Sequence, residues 1–452
     1  MPAKLTLHHN SWASAAGLVA HWVGTGERID LLMETLPREL TPTERARCQY
    51  LVFGVVRHSG RIDAALGRLI AHPPRFITRA ILLLAGYELI ESAQPAEDVG
   101  QVAKIIHHAV EQAKQLASPA EARLVNAVAR KLAAALAAQV PPGPLAAAEA
   151  VAEYYSHPAW LVRRWFALYG AEATRELLHW NQQPAPLYAR LRDPAAAGSL
   201  PAWARPTPWA GFVEVPSGHW GEVEPLLQAK TIYVQDPSTR LAVDLLAPAP
   251  GEAVLDLCAV PGGKSLLAAD RMGGRGRVVA VDLPGPRMAR LRENLAGLSG
   301  VEATVLEGDI LYQLDGLLRR NRLPALYPAV LLDAPCTNTG VMRHRIDVKW
   351  RLQEGDFRTH ALQQEALLTA AARWVEPGGR LVYSTCSIDP EENEQVVAAF
   401  LKKAGAEFAL EASQVFFPWS AGHDGGGAFR LRRRATAPGP APSAPRSAPG
   451  SR

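Results

Sequence analysis

Arg380-Leu-Val-Tyr383, followed by Ser384-Thr-Cys-Ser-Ile-Asp-Pro-Glu-Glu-Asn-Glu-Gln395, is the stretch on which the fold turns. Its apolar start follows a Pro377-Gly-Gly379 turn and reads as a strand. Pro390 and the carboxylates after it suit the first turn of a helix, where a missing N–H and negative charge are both tolerated. Cys386 therefore falls just past the C-terminal end of a strand, where open α/β sheets carry their chemistry. A second thiol, Cys336, ends Asp333-Ala-Pro-Cys336, again directly after an apolar run, Tyr327 to Leu332.

Working outward, apolar runs of strand length recur at Ala253 to Leu257, Arg277 to Val281, Thr304 to Leu306 and Ala329 to Leu332. Helix-length segments separate most of them. This alternation, opening at Gln235, predicts a doubly wound, mostly parallel sheet over 235–434. The chain before it is different. Residues 1–143 read as helical: Ile77, Ile81, Leu84 and Tyr87 share one helix face, and Arg45 to Arg57, Ile62 to Ile70, Val99 to Lys114 and Glu121 to Ala138 are further amphipathic segments divided by Pro37, Pro73-Pro74 and Pro95. Arg45, Arg47, Arg57, Arg61 and Arg68 could form an RNA-facing stripe or an ordinary solvated surface. Residues 149–234 mix helices (Tyr155 to Trp165, Ala171 to Trp180) with short strands (Leu187 to Leu191, Gly211 to Val215) and read as a small α+β connector. Its Trp and Arg residues could stack on RNA, although Trp at such spacing is more often core. The tail, 435–452, holds only Ala, Pro, Ser, Gly, Thr and Arg and is expected to be disordered.

Composition narrows the function classes. At 452 residues the chain exceeds one ordinary core, and 48% apolar with 20% charged residues is a normal globular balance. A net charge of +4 leaves nucleic-acid binding to local patches. Cys48, Cys258, Cys336 and Cys386 lack CxxC spacing, against a disulfide framework or a zinc site, and no metal is expected. No run reaches the ~18 apolar residues of a membrane span and none fits a signal peptide. A cytoplasmic, monomeric protein that does not associate with membranes is expected.

Asp256-Leu-Cys-Ala-Val-Pro-Gly-Gly-Lys-Ser265 lies between the first strand of the sheet and the next helix. Gly262 and Gly263 allow close backbone approach to a ligand, and a helix N-terminus favours an anionic group. Gly-Lys-Ser imitates the end of a phosphate-binding loop, but Cys258 stands where that loop needs glycine. Asp282 ends the second strand and could accept the hydroxyls of a ribose. Asp309 could accept an adenine amino group, and Asp333 could meet a cofactor ammonium or a substrate base. Any one of them could cap a helix. Aspartates at four successive strand ends fit an adenosine carrying a charged amino-acid end, namely S-adenosylmethionine.

These motifs, with Leu331-Leu-Asp-Ala-Pro-Cys-Thr-Asn-Thr-Gly-Val-Met-Arg-His344 and Asp347-Val-Lys-Trp350, resemble in order and spacing the RNA cytosine-5 methyltransferases. Arg47 to Arg57 and Leu124 to Arg130 resemble pieces of the NusB-type helical RNA-binding fold. Together they make the chain similar to the Sun/Fmu branch, which methylates a cytosine of small-subunit (16S) ribosomal RNA. The resemblance implies a multidomain protein: an all-α NusB-like bundle, a small α+β connector and an α/β Rossmann-like methyltransferase domain. It implies Cys386 as nucleophile, Cys336 assisting elimination or release, and Asp333 holding the base edge. It implies cofactor contacts from Cys258, Ala259, Val260, Pro261, Gly262, Gly263, Lys264, Asp282, Arg287, Asp309 and Asp333. RNA contacts are expected from the basic run Arg343, His344, Arg345 and Lys349.

Cys48 and Cys258 are otherwise read as small buried hydrophobes. The sequence departs from the family pattern at Gly426 and Gly427, where aromatics are usual, at Ile346, where proline is, and at Ser265, where threonine is commoner. The glycines put apolar packing beneath the site in question. Rivals stand beside this reading: an RNA-binding assembly or antitermination factor with an inactive catalytic domain, cytosine-5 methylation of another RNA, and DNA cytosine-5 methylation, for which Cys336 would be the nucleophile.

Overall fold

A computed structural model describes residues 10–92, 99–193 and 201–435. Pro95 and tail residues 436–452 lie outside the described residues. The chain forms two compact units, one of Met1–Ala185, Val341–Asp356 and Pro418–Gly422, the other of Pro186–Gly340, Phe357–Phe417 and His423–Arg452. The helices within 149–185 thus group with the N-terminal helices, and the strands of 186–234, with the helix Trp220–Gln228, group with the α/β elements.

The helical unit contains α1 (Ser11–Thr25), α2 (Ile29–Glu34), α3 (Pro42–Gly67), α4 (Phe76–Ser92), α5 (Val99–Leu116), α6 (Pro119–Ala137), α7 (Ala148–Tyr154), α8 (Ala159–Tyr169) and α9 (Ala171–Gln182). Thr41 and Glu44 form a reciprocal capping box and Pro42 occupies the first turn, which fixes the start of α3. The segments expected separately at Arg45 to Arg57 and Ile62 to Ile70 run together as one helix through Gly60. Glycine inside a helix costs about 1 kcal/mol. Here it makes room, because a Cβ at Gly60 would lie 2.6 Å from Cη2 of Trp350. Trp350 also donates to the Val56 carbonyl at 2.8 Å, and Ile346 is buried in the bundle core.

Of the basic residues on and beside α3, read as an RNA-facing stripe or a solvated surface, each has a buried environment or a partner. Arg57 is buried, Arg47 pairs with Glu88, Arg68 with Glu153, Arg61 bonds Gln139 and stacks on Tyr154, and Arg45 donates to the Leu36 and Pro37 carbonyls. Trp165 is wholly buried, the core role expected of most tryptophans here.

In the other unit a small antiparallel sheet is built from β1 (Leu187–Leu191), β2 (Arg205–Pro206), β3 (Phe212–Val215) and β4 (Ile232–Val234), in the order β2-β3-β1-β4. The large sheet holds β5 (Ala253–Leu257), β6 (Gly276–Asp282), β7 (Val301–Glu307), β8 (Tyr327–Asp333), β9 (Val375–Thr385), β10 (Phe408–Phe416) and β11 (Gly426–Arg433), ordered β10-β11-β9-β8-β5-β6-β7. β9, β8, β5, β6 and β7 are parallel; β11 and β10 close the edge as an antiparallel pair. Val254, Leu255, Leu257, Val278 to Val281 and Val330 to Leu332 are all buried. Such continuous apolar runs mark strands covered on both faces. From β5 the chain moves to β6 on one side, while β8 lies on the other. That reversal opens the crevice in which α/β sheets bind ligands.

After β9, residues Pro390–Glu392 form a single 3-10 turn and the α-helix begins only at Glu394. The expected helix start at Pro390 is therefore displaced by one turn. Asp389, Glu392 and Asn393 are wholly buried rather than lining a solvated helix end.

Candidate active site

β5 ends in Asp256, fully buried, whose Oδ2 accepts from Ser265 Oγ. Its Oδ1 has no hydrogen-bond partner. Burial, reinforced by Asp333 and Asp282 against the Ser265 bond and Lys264, pushes the carboxyl up to about 7. The loop that follows turns on two left-handed residues, Cys258 (φ 60°) and Gly262 (φ 103°), before the helix Gly263–Arg271. The Val260 amide donates to Asp282 Oδ2 at 2.8 Å, and the Leu283 amide to Asp282 Oδ1 at 2.7 Å. These bonds fix the carboxylate at the end of β6 while leaving each oxygen a further lone pair.

A cavity of about 210 Å³ opens at this switch point, lined by Asp256, Cys258, Ala259, Val260, Pro261, Gly263, Lys264 and Asp333 together with Tyr233 to Asp236 and Thr239. Seven of the residues expected to hold the cofactor thus share one wall. Gly262 does not line it; a Cβ there would meet Leu291 at 2.8 Å, so its glycine serves the turn. Arg287 is exposed at the start of the helix Met288–Leu295, away from the cavity wall. Asp309 caps a turn, its Oδ1 accepting from the Leu311 amide at 2.8 Å. Even so, the four strand-end aspartates converge electrostatically. Burial first, then Asp282, Asp333, Asp256 and Asp309, push the Cys258 thiol well up. An acid-rich wall with an unpartnered buried carboxylate oxygen fits a cationic amino-acid end such as that of S-adenosylmethionine.

Asp333 is gripped from two sides. Lys264 Nζ donates to its Oδ2 at 2.6 Å and Ser384 Oγ to its Oδ1 at 2.9 Å. Burial alone would lower the Lys264 ammonium, but the attraction and hydrogen bond of Asp333 outweigh it and the group is raised; the Cys386 sulfur adds to this.

Beyond Asp333 the two cysteine loops meet. Cys336 Sγ lies 3.2 Å from Cys386 Sγ, and the Cys386 thiol donates to Asn338 Oδ1 at 3.3 Å. Each thiol has one hydrogen, so with Cys386 donating to Asn338 it is Cys336 that donates to Cys386. That bond, then burial, holds the Cys336 thiol well above its ordinary range. Cys336 is 7% exposed, whereas Cys386 is half-buried. Of the two residues, Cys386 is the more exposed.

A buried polar network ties the loops together. Glu392 accepts from the Thr337 amide at 2.9 Å, from the Thr337 hydroxyl and from Gln364 Nε2 at 3.0 Å. Asp389 Oδ2 accepts from Thr339 Oγ1 at 2.7 Å, Asn393 Nδ2 donates to the Ser387 carbonyl at 2.8 Å, and Thr385 Oγ1 donates to Asn393 Oδ1 at 2.8 Å. Sequence reading assigned these carboxylates to a helix start. No sequence signal shows this, because Thr337 and Thr339 meet these carboxylates only in the fold, 50 to 55 residues away along the chain.

The glycines at 425–427 answer the question about packing. A Cβ at Gly426 would lie 2.5 Å from the Thr385 carbonyl oxygen and 3.5 Å from Cys386 Cα. At Gly427 it would lie 2.4 Å from Asn393 Oδ1. The Gly340 amide donates to the Cys386 carbonyl at 2.9 Å and the Gly425 amide to the Gly340 carbonyl at 2.8 Å. The space a side chain would need is taken at Gly426 by the Thr385 backbone and the Phe416 ring, and at Gly427 by the Asn393 side chain and the Phe429 ring.

Arg343, His344, Arg345 and Lys349 fall in the helical unit. Arg343 lies over the Trp180 ring and donates to the Pro184 carbonyl at 2.7 Å; His344 and Arg345 are exposed. Lys349 does not face solvent as expected. It is 2% exposed, its Nζ donates to the Arg57 carbonyl at 2.9 Å, and burial followed by the Arg57 charge drives its ammonium well down.

The crevice and its acid-rich wall suit S-adenosylmethionine, and the relatives of the chain are methyltransferases of ribosomal RNA. The family of 16S rRNA methyltransferase RsmB/F matches residues 243–423, and the NusB family matches residues 21–134. The chain is 33% identical to ribosomal RNA small subunit methyltransferase B of Sodalis glossinidius over 87% of this chain and 89% of that one. It is 30% identical to the protein of the same name from Escherichia coli K12 over 87% and 90%. The chain belongs to the 16S rRNA methyltransferase RsmB/F family. Among solved structures, PH0851 has the same fold, with a TM-score of 0.73 at 22% identity over 94% of this chain and 100% of that one.

Proposed function

We propose that the chain methylates carbon 5 of a cytosine in 16S ribosomal RNA through a covalent Cys386 adduct. The observation that carries this reading is the asymmetry of the thiol pair: Cys386 half-exposed, and Cys336 buried 3.2 Å behind it with its proton held. It favours Cys386 over Cys336 as nucleophile and so disfavours the DNA-type mechanism. Cytosine carbon 5 is too weak a nucleophile to attack a methyl sulfonium unaided. Addition of the Cys386 sulfur to carbon 6 makes the ring enamine-like and divides the reaction into easier steps. S-adenosylmethionine supplies the methyl group when bound. Asp333, oriented by Lys264 and Ser384, holds the protonated base edge. A base then takes the carbon-5 proton, the electrons of that C–H bond restore the 5,6 double bond and the Cys386 thiolate leaves, its departure assisted by the hydrogen bond from Cys336.

Within the same reading the cofactor is held by Cys258 to Pro261, Gly263, Lys264 and Asp333, with Asp282 taking ribose hydroxyls. RNA is met by the domain at 1–143 and by Arg343, His344 and Arg345, with the connector at 149–234 and the catalytic domain at 235–434 completing a cytoplasmic monomer that uses no metal. Transfer of labelled methyl groups to 16S rRNA, followed by bisulfite sequencing of the product, tests this. A resistant cytosine is expected. Methylation at any other atom overturns it.

A further inference from the structure

Asn338 has no part in the reaction as described, yet it touches both cysteine loops. It stands two residues after Cys336 with φ 63°, in the left-handed region that asparagine tolerates better than most residues. Its Nδ2 donates to the Cys336 carbonyl at 2.7 Å, and its Oδ1 accepts from the Cys386 thiol at 3.3 Å. The orientation of the amide is dictated by its partners. A carbonyl only accepts, so Nδ2 must face Cys336, and this leaves Oδ1 for the sulfur. The result is a directed chain: Cys336 S–H to Cys386 Sγ, and Cys386 S–H to Asn338 Oδ1. Asn338 is half-buried, as Cys386 is.

An acceptor aimed at a sulfur is satisfied only while that sulfur carries its proton. We propose that Asn338 is a positioning residue for methyl transfer: it holds the resting Cys386 thiol in register with Cys336, and it releases the sulfur once the bond to carbon 6 forms. The backbone anchor to Cys336 keeps the amide in place throughout, so the sulfur returns to the same position after each turnover. The inference rests on the reading of Cys386 as nucleophile.

The test uses the full chain with 16S rRNA and labelled S-adenosylmethionine, and two variants. Asn338→Gly keeps a backbone that accepts the left-handed conformation and removes the amide. Asn338→Asp keeps an acceptor, loses the donor to Cys336 and adds a charge beside the sulfur. Misplacement of a reacting atom costs between about tenfold and a hundredfold. Asn338→Gly is expected to lower kcat by about tenfold with both KM values within about twofold and an unchanged melting temperature. Asn338→Asp is expected to move the acidic limb of the kcat profile to higher pH, because a carboxylate opposes loss of the thiol proton. Wild-type kcat in Asn338→Gly, a loss that tracks the melting temperature, or an unmoved profile in Asn338→Asp overturns the proposal. Cys386→Ala serves as the control: if it still turns over, the nucleophile assignment fails and the proposal falls with it, whereas a dead Cys386→Ala beside a fully active Asn338→Gly overturns the proposal alone.

Discussion

Cys336 Sγ sits 3.2 Å behind Cys386 Sγ, buried where its neighbour is half-exposed, so two chemically identical side chains face different tasks. Cys48 and Cys258 are also held up, Cys48 by burial to about 12 and Cys258 by burial and carboxylates. Thiolate is the reactive form. Brief iodoacetamide treatment at neutral pH should therefore label Cys386 before the other three, as read by peptide mass mapping. Bound RNA should protect it.

Glu392 is expected to be a stability residue rather than a reacting one. Glu392→Ala leaves the Thr337 amide, the Thr337 hydroxyl and Gln364 without their buried acceptor. Each orphaned group costs about 1–3 kcal/mol, so a loss of roughly 3 kcal/mol in urea unfolding is expected. Glu392→Gln should lose less, because it keeps one acceptor.

Gly426→Ala should damage the site directly. Its Cβ would press on the Thr385 carbonyl at 2.5 Å, and a backbone oxygen cannot swing aside. Overpacking of this kind costs about 1–3 kcal/mol, and the displaced strand end carries Cys386. Turnover is expected to fall by more than the melting temperature predicts. Gly67→Ala, at the exposed end of α3 with an ordinary backbone conformation and nothing near its Cβ, provides the contrast.

Two groups should give stability opposite dependences on pH. Burial, with Lys349, Arg57 and Arg61 nearby, pushes His58 down to about 3, so the folded chain keeps it neutral while the unfolded chain protonates below about 6.5. Its contribution is full above that value and is lost progressively as pH falls toward 3. Asp256, pushed up to about 7, behaves conversely: the cost of its buried charge is present above pH 7 and fades as pH falls toward about 4. His58→Gln should flatten the fall in urea midpoint below pH 6.5, and Asp256→Asn should raise the midpoint chiefly above pH 7.

The sheet was legible where the chain is apolar on both faces. β1 and β5 fall at the expected residues because short apolar runs bounded by turn formers admit few other readings. β10 was not foreseen: Phe408-Ala-Leu-Glu-Ala-Ser-Gln-Val-Phe416 is an edge strand, bulged near Leu410, and alternates poorly. The cysteine pair was legible as two motifs, since strand ends bring side chains distant in sequence to one place. Lys349 was misread because a basic run looks solvated until a neighbouring helix covers it. Gly426 and Gly427 looked like lost packing, although their absent side chains make room for the Thr385 backbone and for the Asn393 and Phe429 side chains. Asn338 carries no sequence signal, because its role depends on which atoms of the amide meet which loop.

The central claim is the division of labour between the two thiols, and adduct trapping tests it most directly. Cys336→Ala incubated with 16S rRNA and S-adenosylmethionine should accumulate a covalent protein–RNA complex that survives denaturing electrophoresis, and adding Cys386→Ala to the same chain should abolish it. A complex that persists without Cys386, or methylation by the Cys386→Ala variant, would contradict the account.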